Sequence, residues 1–172
     1  MSTHANRGKP FEEALEDLLE IYRARGHVAI RFPTPYKVIS RTPRGLLVVP
    51  ERKAAPDFLL VAHGLDVLAD AKSTAETRWP LARLDDHQAD AFDRWVAQGG
   101  QHRAGVILRL GLDGGGRRDW WIDWRTLGPI WWAWKAGNAR RGEASLTADW
   151  LDRHAIPVVG MDWIGAILKA ES

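Results

Sequence analysis

A chain of 172 residues, 45% apolar and 27% charged, is long enough for one domain with its own core. It has no cysteine, which excludes disulfides and thiolate metal sites. No run approaches the roughly 18 apolar residues of a membrane helix, and the start lacks the apolar stretch of a signal peptide. The expectation is a cytoplasmic protein with no membrane contact. The net charge of +2 hides an asymmetry, because residues 21–56 hold eight cationic side chains and a single acid, Glu51. Five acids lie between Glu12 and Glu20 and eight more between Asp57 and Asp93. A basic segment flanked by acidic ones suits a protein that grips phosphates with one part and holds divalent cations with another. The plainer reading is a solvated charged surface.

In chain order, Phe11, Leu15, Leu18, Leu19 and Tyr22 recur at helical spacing before Gly26, which predicts an amphipathic helix over 10–25. Residues 27–32 alternate and read as a strand. Residues 33–56 hold five prolines, so the strand-like run 46–49 is no central strand. A projecting basic hairpin or stalk fits that segment better. Two strands follow, about 57–62 and 66–72, with His63 and Gly64 at the turn. A helix over 84–98 ends at Gly99 and Gly100. A strand at 105–112, a glycine loop at 114–116 and a strand at 119–124 come next. A helix over 127–137 has Pro129 in its first turn, residues 138–146 read as a loop, and short helices at 147–154 and 162–170 close the chain. This order predicts an α/β fold, a mixed sheet flanked by helices in one domain spanning 1–172. Most of the ten tryptophans are expected in the core: Trp131, Trp132 and Trp134 crowd one helix and Trp95 lies on an apolar stripe.

Asp57, Asp70 and Lys72 stand out because charges are rare in strands that belong to a core. Residues two apart in a strand share a face, so Asp70 and Lys72 point the same way. A turn at 63–64 sets Asp57 beside Asp70. Two adjacent carboxylates repel, so one takes a proton or a cation sits between them. Hard oxygen donors suit Mg²⁺ or Mn²⁺. Gln88, four residues from both Leu84 and Phe92, points with the apolar face of its helix and needs a partner there, which a metal or its water would supply. A structural Asp70–Lys72 pair and a satisfied core Gln88 are the alternatives.

Pro56-Asp57 followed by Asp70-Ala71-Lys72 resembles the PD-(D/E)XK nuclease signature. Further residues extend the likeness: Arg-Gly-x-x-Phe-Glu at 7–12, Pro-Thr-Pro at 33–35, Trp-Pro-Leu at 79–81 leading into Asp86-His87-Gln88, and an aromatic strand and helix around 120–134. Together they resemble the RecU-type Holliday junction resolvases. The resemblance implies a restriction-endonuclease-like fold, a homodimer, and Mg²⁺-dependent cleavage of four-way branched DNA by paired symmetric nicks that leave 5′-phosphates, with Mn²⁺ substituting. It implies a catalytic set of Asp57, Asp70, Lys72, Glu12 and Gln88, in which Asp57, Asp70 and Gln88 hold the metal and Lys72 positions the attacking water. The basic stalk at 33–56 occupies the place of the family's junction-entering element, so Arg7, Lys37, Arg41, Arg44, Arg52 and Lys53 are the expected DNA contacts. The expected location is the cytoplasm, at the nucleoid or, for a viral chain, in the host. One departure is Asp70, where the better-known relatives carry Glu; a side chain one methylene shorter alters metal spacing. The alternatives are another PD-(D/E)XK nuclease acting on duplex or branched DNA, and a junction-binding protein without catalysis. The first shares the metal site. The second has no use for all three of Asp57, Asp70 and Lys72.

Overall fold

The structure, a computed structural model, describes residues 9–33, 36–43, 45–50, 56–138 and 144–170. A six-stranded mixed sheet forms its centre, in the order β1 (Val28–Arg31), β4 (Phe58–Ala62), β5 (Leu65–Thr74), β7 (His102–Gly111), β8 (Arg117–Asp123) and β10 (Ile156–Val158). All neighbours run antiparallel except β5 and β7, which are parallel and joined through helix α2 (Asp86–Val96). A parallel pair needs such a crossover, whereas a hairpin needs two turn residues. The β4–β5 turn is of that short kind: Ala62 pairs with Leu65, and His63 and Gly64 both take positive φ, 51° and 79°. Two successive left-handed residues match the strand twist of a type I′ hairpin.

Helices cover both faces. Helix α1 (Lys9–Ala24) buries Phe11, Leu15, Leu19 and Tyr22 against one face, joined there by Trp163, Ile164 and Ile167 of α5 (Trp163–Ala170). The Tyr22 hydroxyl donates to Asp162 Oδ1 at 2.9 Å and accepts from the Ile164 amide, tying the start of α5 to α1. On the other face α2, α3 (Trp124–Lys135) and α4 (Ala148–His154) pack through Phe92, Leu127, Trp131 and Leu151. Six tryptophans, 79, 120, 121, 124, 131 and 163, are at most 3% exposed, as the core reading expects. Each buries on the order of 200 Å², roughly 5 kcal/mol of gross transfer energy. Trp95, Trp134 and Trp150 are half-buried against the same core, and Trp132 is 38% exposed.

Segment 36–50 forms a separate hairpin of β2 (Tyr36–Thr42) and β3 (Gly45–Pro50), whose strands pair with no other strand among the described residues. Val38, Ile39 and Val48 on it are exposed. Three short strands depart from expectation: β6 (Arg78–Pro80), β9 (Ser145–Thr147), which pairs with β6 inside the expected loop, and β10. The third helix begins at Trp124, directly after β8, with Asp123 accepting from the Arg125 amide as its cap. Pro129 therefore sits inside α3 rather than in its first turn. No described helix is long and apolar enough to cross a membrane.

Candidate active site

The β4–β5 hairpin builds the site. Its register pairs Phe58 with Ala69, which sets Asp57 and Asp70 at the next opposed position. Asp57 Oδ2 accepts from the Ala71 amide at 2.9 Å, so its carboxylate takes up a ladder donor just where β4 begins. Asp70 has no exposed surface. The Gln88 Nε2 amide donates to its Oδ1. Lys72 Nζ lies 2.6 Å from Asp70 Oδ2, yet that oxygen completes no well-aligned hydrogen bond. The contact is thus an ion pair of poor directionality. Lys72 Nζ also donates to Gln88 Oε1 at 3.2 Å.

Burial pushes the Asp70 carboxyl up from 3.8 to about 7, with the nearby Asp57 carboxylate adding to the shift and Lys72 opposing it. Desolvation outweighs the ion pair because no water reaches Asp70, while Lys72 is 20% exposed and keeps part of its hydration.

Gln88 is held by more than Asp70. Its Oε1 accepts from the Asp85 amide at 3.1 Å, the reciprocal half of a capping box at the start of α2. This carboxamide therefore offers its oxygen to Lys72 and the helix cap, and its N–H to Asp70. Two tryptophans of α3 fix the helix itself: Trp124 and Trp132 donate their indole N–H groups to the two oxygens of Asp93, at 2.6 and 2.8 Å. Lys135 pairs with Asp86 at 2.6 Å. Sequence reasoning missed Asp93. The signal available was an acid on α2 near several indole donors that need acceptors once buried.

Glu12 lies on α1, which packs on the sheet face opposite Asp70 and Lys72; its side chain is outside the described residues. Arg41 is exposed on β2, whereas Lys37 belongs to β2 with its side chain outside the described residues. Arg7, Arg44, Arg52 and Lys53 lie outside them altogether. Among the described residues no three His, Cys, Asp or Glu side chains cluster closely enough to hold a metal alone. The described oxygen donors are thus the two aspartates and the Gln88 carboxamide.

A mixed α/β sheet that presents two aspartates and a lysine from one hairpin, backed by a glutamine from the crossover helix, defines a protein with a carboxylate–lysine centre. The chain belongs to the RecU family, described as Recombination protein U, which matches residues 6–158. It is similar to the Holliday junction resolvase RecU of Limosilactobacillus fermentum, at 34% identity over 107 residues, 58% of this chain and 51% of that protein. The chain thus spans about half the length of that curated relative. Among solved structures it has a partial likeness to Archaeoglobus fulgidus Hjc, a Holliday junction resolvase from an archaeal hyperthermophile. The TM-score is 0.33 at 18% identity, covering 60% of this chain and 70% of that one.

Proposed function

We propose that this chain is a divalent-metal-dependent endodeoxyribonuclease that resolves four-way DNA junctions by paired symmetric nicks, working as a homodimer on DNA in the cytoplasm. The observation that carries the reading is the Asp57–Asp70–Lys72 cluster on one hairpin in a chain of the RecU family. The donor set fits a hard cation, because Asp70 Oδ2 is buried without a completed hydrogen bond and the Asp57 carboxylate is in contact with Asp70. Asp57 and Asp70 would hold the ion, with Gln88 orienting Asp70. Mg²⁺, or Mn²⁺ in its place, supplies positive charge against the scissile phosphate and acidity for the attacking water.

The protein's own residues do the rest. Asp70 must shed its proton to bind a cation, and Lys72 favours that ionised form. The Lys72 ammonium, braced by Gln88, keeps donors for the water or for a phosphate oxygen whose charge grows during attack. In-line attack leaves a 5′-phosphate. Two copies related by a two-fold axis match the symmetry of a junction. The basic segment 33–56, with Arg41, Arg44, Arg52 and Lys53, reaches phosphates at the crossover. Incubation with an immobile four-way junction, linear duplex and single strand, with and without Mg²⁺, tests the reading. Paired nicks in the junction that require the metal are expected. Equal cleavage of duplex, or junction cleavage in excess EDTA, overturns it.

A further inference from the structure

The hairpin site stands at an open edge of the sheet. β4 begins at Phe58, opposite Ala69, so β5 runs on from Asp70 to Thr74 with no strand beside it on that side among the described residues. The backbone of β5 decides which groups face that edge. The Asp66 amide donates toward β7, to the Gln101 carbonyl, so the even-numbered residues of β5 turn their backbone groups to β7 and residues 69, 71 and 73 turn theirs the other way. Asp57 takes the outward amide of Ala71. Two residues further along, roughly 7 Å of strand, the outward carbonyl of Ser73 accepts from Nη1 of Arg83 at 3.4 Å.

Arg83 reaches this edge from the catalytic face. It ends a short 3₁₀ turn, Leu81–Arg83, ahead of α2, and Leu81 and Leu84 are buried in the core beneath α2 and α3. The turn is fixed at Leu81, whose amide donates to the Ala144 carbonyl at 3.0 Å and whose carbonyl accepts from the Leu84 amide and the Trp131 indole, both at 3.1 Å. Two residues beyond Arg83, the Asp85 amide donates to the same Gln88 oxygen that Lys72 reaches. Arg83 is thus carried on a held strip of backbone that leads straight into the site, and its guanidinium lies on the same open edge as the Asp57 carboxylate.

Little in the protein uses that guanidinium. Arg83 is exposed and pairs with no carboxylate among the described residues. The acids that follow it are engaged elsewhere, Asp85 in the capping box of α2 and Asp86 with Lys135. One long bond to a carbonyl occupies one of the five N–H donors of a guanidinium. Water would satisfy an exposed edge carbonyl equally well, so the tie to Ser73 alone does not account for an unneutralised arginine held beside two carboxylates. Lys72 is already engaged by Asp70 and Gln88. A DNA strand brings a phosphate with every nucleotide, so a strand whose scissile phosphate meets the two aspartates carries further phosphates along the edge. The planar fork of arginine matches two oxygens of such a group.

We propose that Arg83 binds a phosphate flanking the scissile one in the strand being cut, its forked N–H groups on the two non-bridging oxygens. The inference rests on the nuclease reading and deepens it: Lys72 acts at the bond that breaks, and Arg83 fixes the run of the strand on one side of it. It adds no sequence preference, because phosphates carry none.

The test is equilibrium binding to a four-way junction in EDTA across a salt series, for wild type, Arg83→Ala, Arg83→Lys and Arg94→Ala, after wild-type cleavage in Mg²⁺ has mapped the cut. Arg94 is an exposed arginine in the last turn of α2, away from Gln88, and serves as the charge-matched control. Arg83→Ala should bind roughly tenfold more weakly and lose about one unit of slope in log affinity against log salt. Arg83→Lys should keep the slope, and Arg94→Ala should keep both slope and affinity. Junctions with a single neutral methylphosphonate at successive positions around the cut then locate the contact. Neutralising one of the two phosphates next to the scissile one should weaken wild type and leave Arg83→Ala unaffected. A wild-type slope in Arg83→Ala, with or without a lowered urea midpoint, reduces Arg83 to a brace for the Ser73 carbonyl and overturns the inference alone. Equal methylphosphonate profiles for the two proteins, or a coupled position that does not flank the cut, overturn it as well. A wild type that cleaves no DNA in Mg²⁺ overturns the nuclease reading and this contact with it.

Discussion

Replacing Asp70 by Asn separates the stability of the site from its chemistry. Folded Asp70 holds its proton up to a pH of about 7, against 3.8 for an ordinary aspartate. Between those values the unfolded chain has released a proton that the folded chain still keeps, so this group's stabilising contribution is full below pH 4 and is lost as pH rises to 7. A shift of about three units at about 1.36 kcal/mol each makes the loss roughly 4 kcal/mol. Asn never ionises and suffers none of it. The stability difference, Asp70→Asn minus wild type, should therefore climb by about 3 kcal/mol from pH 4.5 to 7 and flatten above about pH 8. A constant offset rides on this, because Lys72 loses its partner at 2.6 Å and keeps Gln88; the slope is free of it. Urea denaturation in EDTA at half-unit pH steps gives the curve. Adding Mg²⁺ at pH 7.5 should raise the wild-type midpoint and leave the variant's unchanged, while junction cleavage by the variant falls by orders of magnitude. A difference that stays flat with pH would show that Asp70 ionises normally in the fold and refute the desolvation argument.

Lys72→Gln should cut single-turnover junction cleavage by at least about 100-fold while binding in EDTA persists, since the loss falls on transition-state charge; unchanged turnover would remove Lys72 from the chemistry. Asp93→Leu leaves the buried Trp124 indole without an acceptor and the half-exposed Trp132 indole to water, and should cost about 1–3 kcal/mol in urea denaturation, with cleavage lost in step because α2 no longer holds Gln88. His63→Gly should stabilise the fold by about 0.5–1 kcal/mol, because a glycine takes the left-handed turn position without strain; a destabilised variant would mean that the His63 ring, 4.7 Å from His27, contributes more than its backbone costs.

The hairpin site was readable because three independent signals agreed on it: period-two alternation, a two-residue turn at His63–Gly64, and charges at matched positions. Together they set the register that places Asp57 beside Asp70. Gln88 was readable for the same kind of reason, since a polar residue on an apolar helical face demands a partner. The start of α3 was not, because Trp124 follows β8 with no glycine or proline between them and the cap, Asp123, is itself the last strand residue. β6, β9 and β10 are three residues each, too short for any alternation to show. Their pairing is imposed by tertiary packing: Trp79 and Leu146, opposed across β6 and β9, are both buried under the α2 side of the sheet. The forked ion pair of Arg109 with Asp119, across β7 and β8, was equally hidden, because the two become partners only through the register of their strands.

The parallel pairing of β5 with β7 has a kinetic consequence. Asp57, Asp70 and Lys72 lie within sixteen residues and meet as soon as one tight turn closes, an event of about 1–10 μs. At that stage water still surrounds Asp70 and its carboxylate is ordinary. β7 reaches β5 only by closing the chain from Asp66 to His102, and α2 docks in the same movement. Loop closure of that length is the slower step, and it is the step that strips water from Asp70. The barrier to completing the sheet therefore carries the cost of burying a charge. Buffer near pH 4, which protonates a sizeable fraction of the still-hydrated Asp70 in advance, should speed the last phase of refolding and leave hairpin formation at its own rate.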